Sequence, residues 1–383
     1  MTELSLALAS SVGNAPLWRR EPYRLLFPLG IVLSWTGVLP WLLFAIGVTD
    51  EYRSIFHSMA QVQGFLACFA VGFLFTMIPR RTGTAAPSPW QMAVVIAAPI
   101  ATTACAWLER WALAQVFWLS LLALIAAFAL RRFRPGDIPD SFVWVFAALA
   151  SGMAGAVLAG YGAATEAMWL HDVGRGLVLQ GTMSALVIGV GGFLLPAITR
   201  GEPPARPSRR RKLLHVAGIA LFVASFFVEG EWLRLGFVLR AGVPALALIV
   251  AARLWRKPSL PGLHRRLVWI AAWMLPAGYA FVGALPGYRR VGLHVVFIGC
   301  FALMVLTVSV HVVLSHAGAG DLLRRSGWQL RTVAVLLFAA LFSRMMVDFD
   351  MAHVRLWLGI AAGTFLASTL VWLQLSFRRH LQP

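Results

Sequence analysis

Twelve apolar stretches of about 18 to 24 residues, separated by short charged turns, fill nearly all of this 383-residue chain. A helix needs about 20 apolar residues to cross roughly 30 Å of hydrocarbon at 1.5 Å per residue. Backbone amides in lipid must be paired internally, so such stretches form helices or barrel strands. Barrel strands would alternate polar and apolar residues, and these stretches do not. The sequence therefore predicts an all-α, polytopic bundle of about 12 transmembrane helices in a lipid bilayer.

The twelve predicted spans form a single integral membrane domain over residues 1–383. They are Leu25–Ile46, Ile55–Met77, Trp90–Leu108, Ala112–Leu130, Phe142–Tyr161, Gly176–Ile198, Leu213–Val228, Trp232–Ala252, Leu267–Ala284, Val291–Leu314, Trp328–Met346 and His353–Leu375. A short segment (1–24) precedes helices one to six (25–198), and a basic, proline-containing loop (199–212) separates these from helices seven to twelve (213–375) and a tail (376–383). The loop suggests two sets of six helices, although the two sets show no convincing sequence repeat.

The charges alternate from loop to loop. Of the 33 basic residues, 24 lie in one set of connections (19–24, 80–81, 131–134, 200–212, 253–266, 324–331 and 378–379), while the opposite set carries most of the acids. The positive-inside rule places the basic set and both termini in the cytoplasm. The net charge of +18 is thus an orientation signal and not a nucleic-acid surface. No cleavable signal pattern precedes the first span, so we expect that span to stay attached.

Several histidines fall at predicted membrane boundaries. His57, His294 and His353 open the second, tenth and twelfth helices on the outer side, His171 lies in the loop before the sixth, and His311 and His316 lie at the cytoplasmic end of the tenth. Neutral imidazole is a common metal and haem ligand. Histidines that are simply solvated at the boundary are the open alternative. The three cysteines lie in apolar stretches without a CxxC motif, which excludes covalent CxxCH haem attachment.

Two arginines lie within predicted spans. Arg240 is about eight residues, or roughly 12 Å, inside the eighth span, and Arg344 lies near the outer end of the eleventh. Such guanidiniums can bind the carboxylates of a ligand or cofactor. Snorkelling to the interface is an alternative that suits Arg344 and not Arg240. Acidic residues lie almost entirely in predicted loops, and the spans hold no nucleophile–base constellation, so no enzyme reaction is assigned.

Small residues mark two of the helices. In the second helix His57, Gln61, Gly64, Cys68 and Gly72 share one face, which predicts close packing against another helix or a flat ligand. In the sixth, Gly189, Gly191 and Gly192 precede Pro196, and we expect a flexible or broken helix end there.

Four blocks of sequence together resemble the NnrS family of twelve-helix bacterial membrane proteins. They are Tyr23-Arg24-Leu25-Leu26-Phe27-Pro28-Leu29-Gly30; Phe56-His57, Gly64-Phe65, Gly72-Phe73-Leu74, Pro79 and Thr82-Gly83; Gly191-Gly192 with Pro196-Ala197-Ile198-Thr199-Arg200; and His294 with Ser315-His316. The order and spacing of the blocks, which run from about residue 23 to residue 318, make the set more specific than any single block.

This resemblance implies a protein of the bacterial inner membrane that carries haem and copper and takes part in responses to nitric oxide, a small gaseous ligand. It implies a b-type haem near the outer leaflet with His57 and His294 as axial ligands and His316 as a further cofactor-binding residue. Arg240, Arg344 or Arg289 would hold the propionates.

The chain also departs from the family pattern. The second helix of the family reads His-x-His-Glu, whereas this chain has His57-Ser58-Met59-Ala60, so the second histidine and the acid are missing. Phe193 and His311 stand where the family has arginine, and Ser315 replaces a glycine. Met59 could supply a thioether to haem or Cu(I), or simply fill a packing gap. Haem without copper, and loss of both, are therefore open alternatives.

Two other functions fit the sequence. A cofactor-free secondary transporter would use buried Arg240 for an anionic substrate and the sixth helix as a broken helix. A diverged accessory subunit that helps cofactor assembly is the third hypothesis.

Overall fold

The computed structural model describes residues 15–133, 139–203, 205, 207–324 and 327–380, with side chains to residue 376. Arg134, Arg206 and Arg325 of the basic loops, most of the predicted segment 1–24 and the end of the predicted tail lie outside the described residues. The part of the chain that the structure describes is helical and contains no β-strand.

Twelve helices in the described chain are long and apolar enough to cross a membrane, which confirms the predicted fold class. They are α1 Tyr23–Ala45, α2 Ser54–Thr82, α3 Pro89–Trp107, α4 Trp111–Leu130, α5 Asp140–Ala164, α6 Met168–Arg200, α7 Arg209–Val228, α8 Leu233–Ala252, α9 Leu263–Ala284, α10 Pro286–His316, α11 Trp328–Phe349 and α12 Met351–Ser376. Short helices also form at Leu17–Arg20 and Gly320–Arg324. The protein is a polytopic membrane protein.

The largest error in the predicted boundaries concerns α6. The helix begins at Met168, eight residues before the predicted Gly176, so His171 lies in its first turns and not in the preceding loop. These turns contain Asp172 and Arg175 and are only weakly apolar. Hydropathy detects where apolar residues begin, whereas a helix continues as long as its backbone hydrogen bonds do.

The chain divides into two compact units. The first holds the described residues of 1–37 and 54–138 together with residue 380, and the second holds 38–53 and the described residues from 139 to 379. The predicted division into two sets of six helices stays a prediction.

Three of the helices contain a π-helical segment. These segments are Ala60–Leu66 in α2, Leu177–Gly181 in α6 and Val295–Ala302 in α10, so they begin 117 and 118 residues apart. Each lies in the second helix of a group of four, which points to three four-helix repeats (α1–α4, α5–α8 and α9–α12). Segments of this kind are rare in helices and are frequent at functional sites.

A glycine of the preceding helix packs against the start of each π-segment. A Cβ at Gly37 would lie 2.9 Å from the Ala60 Cβ, one at Gly155 would lie 2.8 Å from the Leu177 Cβ, and one at Gly278 would lie 2.7 Å from the Val296 Cγ2. Only a residue without a side chain allows the two helices of each pair to approach this closely.

The expected break in the sixth helix is wrong. An α-helix runs without interruption from Thr182 to Arg200, through Pro196, and ends at Gly201 in the left-handed region. The glycines serve close packing instead, since a Cβ at Gly189 would lie 2.8 Å from Val145 and one at Gly192 would lie 2.7 Å from Ser141. The departure from α-geometry lies earlier, in the π-segment.

Candidate cofactor site

His57 lies in the first turns of α2 and is half-buried in the first unit. Its Nδ1 is 2.9 Å from the backbone oxygen of Gly37 in α1. A carbonyl only accepts hydrogen bonds, so Nδ1 carries the proton and the lone pair of the neutral ring is at Nε2. An imidazole oriented by its Nδ1–H in this way is the form that binds a metal or haem iron through Nε2.

The shared face of α2 packs against other helices, as predicted. Gln61 donates to the backbone oxygen of Ser34 at 2.9 Å, and a Cβ at Gly64 would lie 2.9 Å from Thr103 Oγ1. A Cβ at Gly72 would lie 3.1 Å from the side chain of Leu26. Close helix packing therefore accounts for the small residues on this face.

Met59, the predicted soft ligand, is buried. It belongs to an apolar cluster with Phe56, Ala60, Ala106 and Ala114 in the first unit. This environment favours the interpretation of Met59 as a residue that fills a packing gap.

His294 lies within α10, just before the π-segment, and is partly exposed in the second unit. Its Nδ1 is 2.7 Å from the backbone oxygen of Arg290, one turn earlier. His171 has the same orientation, with its Nδ1 3.1 Å from the backbone oxygen of Ala159. Both rings therefore carry the proton on Nδ1 and the lone pair on Nε2, as His57 does.

His316 is the last residue of α10. It lies 22 residues after His294 on the same continuous helix, a separation of about 30 Å along the axis. One haem cannot be ligated by both residues. The predicted cofactor role of His316 would thus require a site separate from that of His294.

Arg240 is fully buried in α8, and its guanidinium is held by groups of the protein itself. It forms an ion pair with Glu229, donates to Gln180 Oε1 at 3.0 Å, and lies 4.2 Å from the ring centroids of both Phe226 and Phe237. Its Nε is buried and makes no hydrogen bond. A ligand anion at Arg240 would have to share the guanidinium with the Glu229 carboxylate.

Arg344 is also buried, with 6% of its surface exposed, so the snorkelling interpretation is wrong. It pairs with Asp348 at 3.2 Å, one turn later in α11, and lies over the ring of Trp41 at 5.8 Å. The partner is available because α11 continues past the predicted end at Met346 to Phe349.

Neighbouring arginines at the start of α10 bind the two acids from the other side. Arg289 pairs with Glu229, and Arg290 pairs with Asp348 at 2.8 Å. The side chains of both acids are largely buried, at 14% and 7% exposure. Glu229 directly follows α7, in a loop as predicted, whereas Asp348 belongs to α11 and not to the loop predicted for it. Each carboxylate joins one buried and one accessible guanidinium.

The structure thus brings several predicted residues together at one end of α10. The Glu229 carboxylate connects Arg240 to Arg289, and the Asp348 carboxylate connects Arg344 to Arg290. The backbone oxygen of Arg290 also accepts the hydrogen bond from His294 Nδ1. The acids that complete this arrangement were missed as site residues. Their position beside basic residues in the outer loops was the only signal in the sequence.

Two further features were not predicted. The Tyr279 hydroxyl and the Ser184 hydroxyl lie 2.8 Å apart in the core of the second unit. An open groove of about 810 Å³ is lined by Trp232, Leu233, Arg234, Leu235 and Pro286, at the starts of α8 and α10.

His353 lies in the first turn of α12 and interacts with a carboxylate instead of a backbone carbonyl. Hydrogen bonds from Trp357 and His353 lower the pKa of Asp350 below its ordinary value. The stabilisation of the fold by these hydrogen bonds is present above the ordinary pKa of the carboxyl group and is lost as the pH falls through the lowered pKa.

We expect the fluorescence of Trp357 to change on acidification below about pH 4, because protonation of Asp350 weakens its hydrogen bond to the indole. Asp350→Asn, which cannot titrate, should abolish the change, and its persistence in that variant would contradict the assignment.

Among the residues that the structure describes, no three His, Cys, Asp or Glu side chains gather in a way that could hold a metal ion.

The model of the NnrS protein family matches residues 16–383, which is nearly the whole chain. The chain belongs to the NnrS family. No curated protein matches the sequence.

Proposed function

We propose that this NnrS-family protein binds b-type haem, with Nε2 of His57 in the first unit and Nε2 of His294 in the second each serving as an iron ligand, and that it takes part in the bacterial response to nitric oxide from the inner membrane. One observation carries the haem proposal. Both rings donate Nδ1–H to a backbone carbonyl, at 2.9 and 2.7 Å, which puts the lone pair of the neutral ring on Nε2, the nitrogen that would bind iron. The role in nitric oxide metabolism and the inner-membrane location rest on family membership and on the charge pattern of the loops.

Arg289 is the best candidate to hold a propionate. Its side chain is 46% exposed, whereas the guanidiniums of Arg240 and Arg344 are buried against Glu229 and Asp348. The two carboxylates hold the beginning of α10 through Arg289 and Arg290, and thereby the turn that carries His294. A bound haem would supply an iron centre that can bind a small gas or accept an electron.

Copper is not part of this proposal. The positions after His57 hold Ser58, Met59 and Ala60, and Met59 is packed among apolar residues. The permease hypothesis is also less favoured, because the Arg240 guanidinium contacts Glu229, Gln180 and the Ser225 backbone oxygen.

The absorption spectrum of the protein purified from haem-replete cells tests this proposal. We expect a Soret band, sharpening of the visible bands with dithionite, and a pyridine haemochrome of the b type. His57→Ala and His294→Ala should each lose most of the haem. His353→Ala is the matched control, because that ring is exposed and interacts with Asp350, and it should keep full occupancy.

Chemical rescue separates loss of a ligand from misfolding. His57→Gly and His294→Gly should regain the wild-type spectrum when imidazole is added, because free imidazole can occupy the space left by the ring. A colourless wild-type protein, or full haem occupancy in both alanine variants, would refute the proposal.

A further inference from the structure

A cluster of basic side chains lies at the predicted cytoplasmic ends of α9 and α10, away from the candidate haem ligands. His264 and Arg265 belong to the first turn of α9, and His311 and His316 to the last turns of α10. The proposed function uses none of the four.

Two of these imidazoles are in direct contact. His311 Nδ1 and His264 Nε2 lie 3.3 Å apart, and the ring centroids are separated by 5.3 Å. His264 is 1% exposed. A hydrogen bond between two imidazoles needs one donor and one acceptor, so the pair can be neutral or can hold one additional proton without losing the bond.

The loop before α9 holds His264 in place. Gly262 has φ of +131°, and a Cβ there would lie 2.9 Å from the His264 ring and 2.5 Å from the backbone oxygen of Leu323. A residue with a side chain would therefore clash with both the ring and the Gly320–Arg324 helix. The imidazole pair is therefore part of a closely packed region.

The cluster has an excess of positive charge. Arg265 and His316 both act electrostatically on His311, and Arg324 acts on Arg265. Within the described chain, His264, Arg265 and His311 form no ion pair with a carboxylate, in contrast to the ion-paired Arg240 and Arg344. Arg265 donates to the backbone oxygen of Ile198, and its Nε is buried without a hydrogen-bond partner.

The neighbouring elements do not neutralise this excess of positive charge. Asp321, the acid on the Gly320–Arg324 helix, is exposed and forms no ion pair in the described part of the chain. The elements that pack against α9 contribute mainly further cations at this predicted end: Arg200 of α6, Arg253 after α8, Arg324 of the Gly320–Arg324 helix and Arg331 of α11. The acid partner of Arg200 is Glu202. A metal cation would be repelled by these groups, whereas an anion would be attracted.

We propose that this cluster binds an oxyanion group, either a free inorganic oxyanion or the phosphate of an anionic phospholipid, and that the His264–His311 pair takes up a proton when it binds. The imidazolium formed would keep its hydrogen bond to the second ring, and the anion would stabilise the added charge. Basic pockets between helices on the cytoplasmic side are known to bind lipid phosphates. The site is independent of haem, so its test is unaffected by failure of the proposed function.

Sulfate is the probe for the free anion, because it does not titrate near neutral pH. The full-length protein in phosphatidylcholine nanodiscs is compared in sulfate and in chloride at equal ionic strength, and thermal unfolding is followed at pH 6 and pH 8. We expect sulfate to raise the Tm more at pH 6 than at pH 8. Adding sulfate to weakly buffered protein at pH 6.5 should cause uptake of about one proton per bound sulfate, and chloride should cause none.

His264→Gln and His311→Gln should remove the sulfate effect and the proton uptake. His215→Gln is the matched control, because His215 is also a buried histidine near the same predicted end of its helix but accepts a hydrogen bond from Trp144 outside the cluster. This variant should behave like the wild type in sulfate. If the cluster variants do not fold, proton uptake by the wild-type protein decides the matter.

Nanodiscs that contain phosphatidylglycerol distinguish the two anion sources. If a lipid phosphate occupies the site, phosphatidylglycerol will abolish the response to sulfate and will itself stabilise the protein more at pH 6 than at pH 8. If the site selects free oxyanions, the sulfate response will persist. Equal Tm values in sulfate and chloride at both pH values in phosphatidylcholine would overturn the proposal, as would sulfate binding without proton uptake or a wild-type sulfate response in His311→Gln.

Discussion

Glu229→Gln is expected to lower the free energy of unfolding by about 3–5 kcal/mol. The Glu229 carboxylate is the acidic partner of Arg240, which has no solvent exposure, and it also pairs with Arg289. Without this negative charge the Arg240 guanidinium stays buried with only neutral partners, Gln180 and the Ser225 backbone oxygen. The measurement is the thermal or denaturant-induced unfolding of the purified protein, followed by loss of helical signal.

Two further variants make this result specific. Glu231→Gln is the matched control, since Glu231 is an exposed acid two residues away, and it should change the free energy of unfolding by less than about 0.5 kcal/mol. The double variant Glu229→Gln/Arg240→Met should recover most of the loss, because it removes the buried charge together with its partner. A double variant that is as unstable as Glu229→Gln would show that the ion pair is not the cause.

The double variant also distinguishes the haem hypothesis from the permease hypothesis. In a permease, Arg240 would bind the substrate, so the double variant would fold but would have no flux. In the proposed haem protein the double variant should keep the haem, because His57 and His294 lie outside the Arg240 ion pair and Arg289 remains for the propionate. A folded but haem-free double variant would contradict the division of roles between Arg240 and Arg289.

The second large effect is expected at Gly155, where α5 packs against α6. A Cβ at this position would lie 2.7 Å from the Gly174 backbone oxygen and 2.9 Å from the Val178 backbone nitrogen. Backbone atoms cannot move aside as a flexible side chain can, so Gly155→Ala must separate the two helices or distort the π-segment. We expect a loss of about 3 kcal/mol in the free energy of unfolding.

Gly160→Ala is the control for this substitution. Gly160 belongs to the same helix, and a Cβ there would meet no atom within 4 Å. Alanine favours helix formation over glycine by about 1 kcal/mol, so Gly160→Ala should leave the stability unchanged or raise it. Equal destabilisation by both substitutions would attribute the effect to the helix itself and not to the contact between α5 and α6.

The prediction from sequence was most successful for the spans. Crossing a bilayer imposes a length and an apolarity that each helix satisfies locally, so the twelve helices could be counted without knowing their neighbours. The errors arose where that rule does not apply. The polar first turns of α6 and the last turn of α11 were assigned to loops, and the glycines before Pro196 were interpreted as a break although they are contact points.

The candidate site was predicted only in part. His57, His294 and Arg240 were chosen because ionisable groups in a membrane need a reason to be there. Their partners were not predictable, since the Gly37 carbonyl lies 20 residues from His57 and Asp348 lies 58 residues from Arg290. The pair formed by His264 and His311 was likewise not predicted, because the two residues come from different helices.

The amino-acid sequence by itself determined that this chain is a helical membrane protein, and the order and spacing of its short blocks indicated the NnrS family, to which the chain belongs. Those properties depend on local composition and on the spacing of residues along the chain. Only the tertiary structure decided which nitrogen of His57 and of His294 donates to a backbone carbonyl, which carboxylate neutralises each buried arginine and which glycines allow neighbouring helices to approach closely. These properties depend on contacts of a few ångströms between distant segments, and hydrogen bonds and ion pairs form only when packing brings their partners within that range.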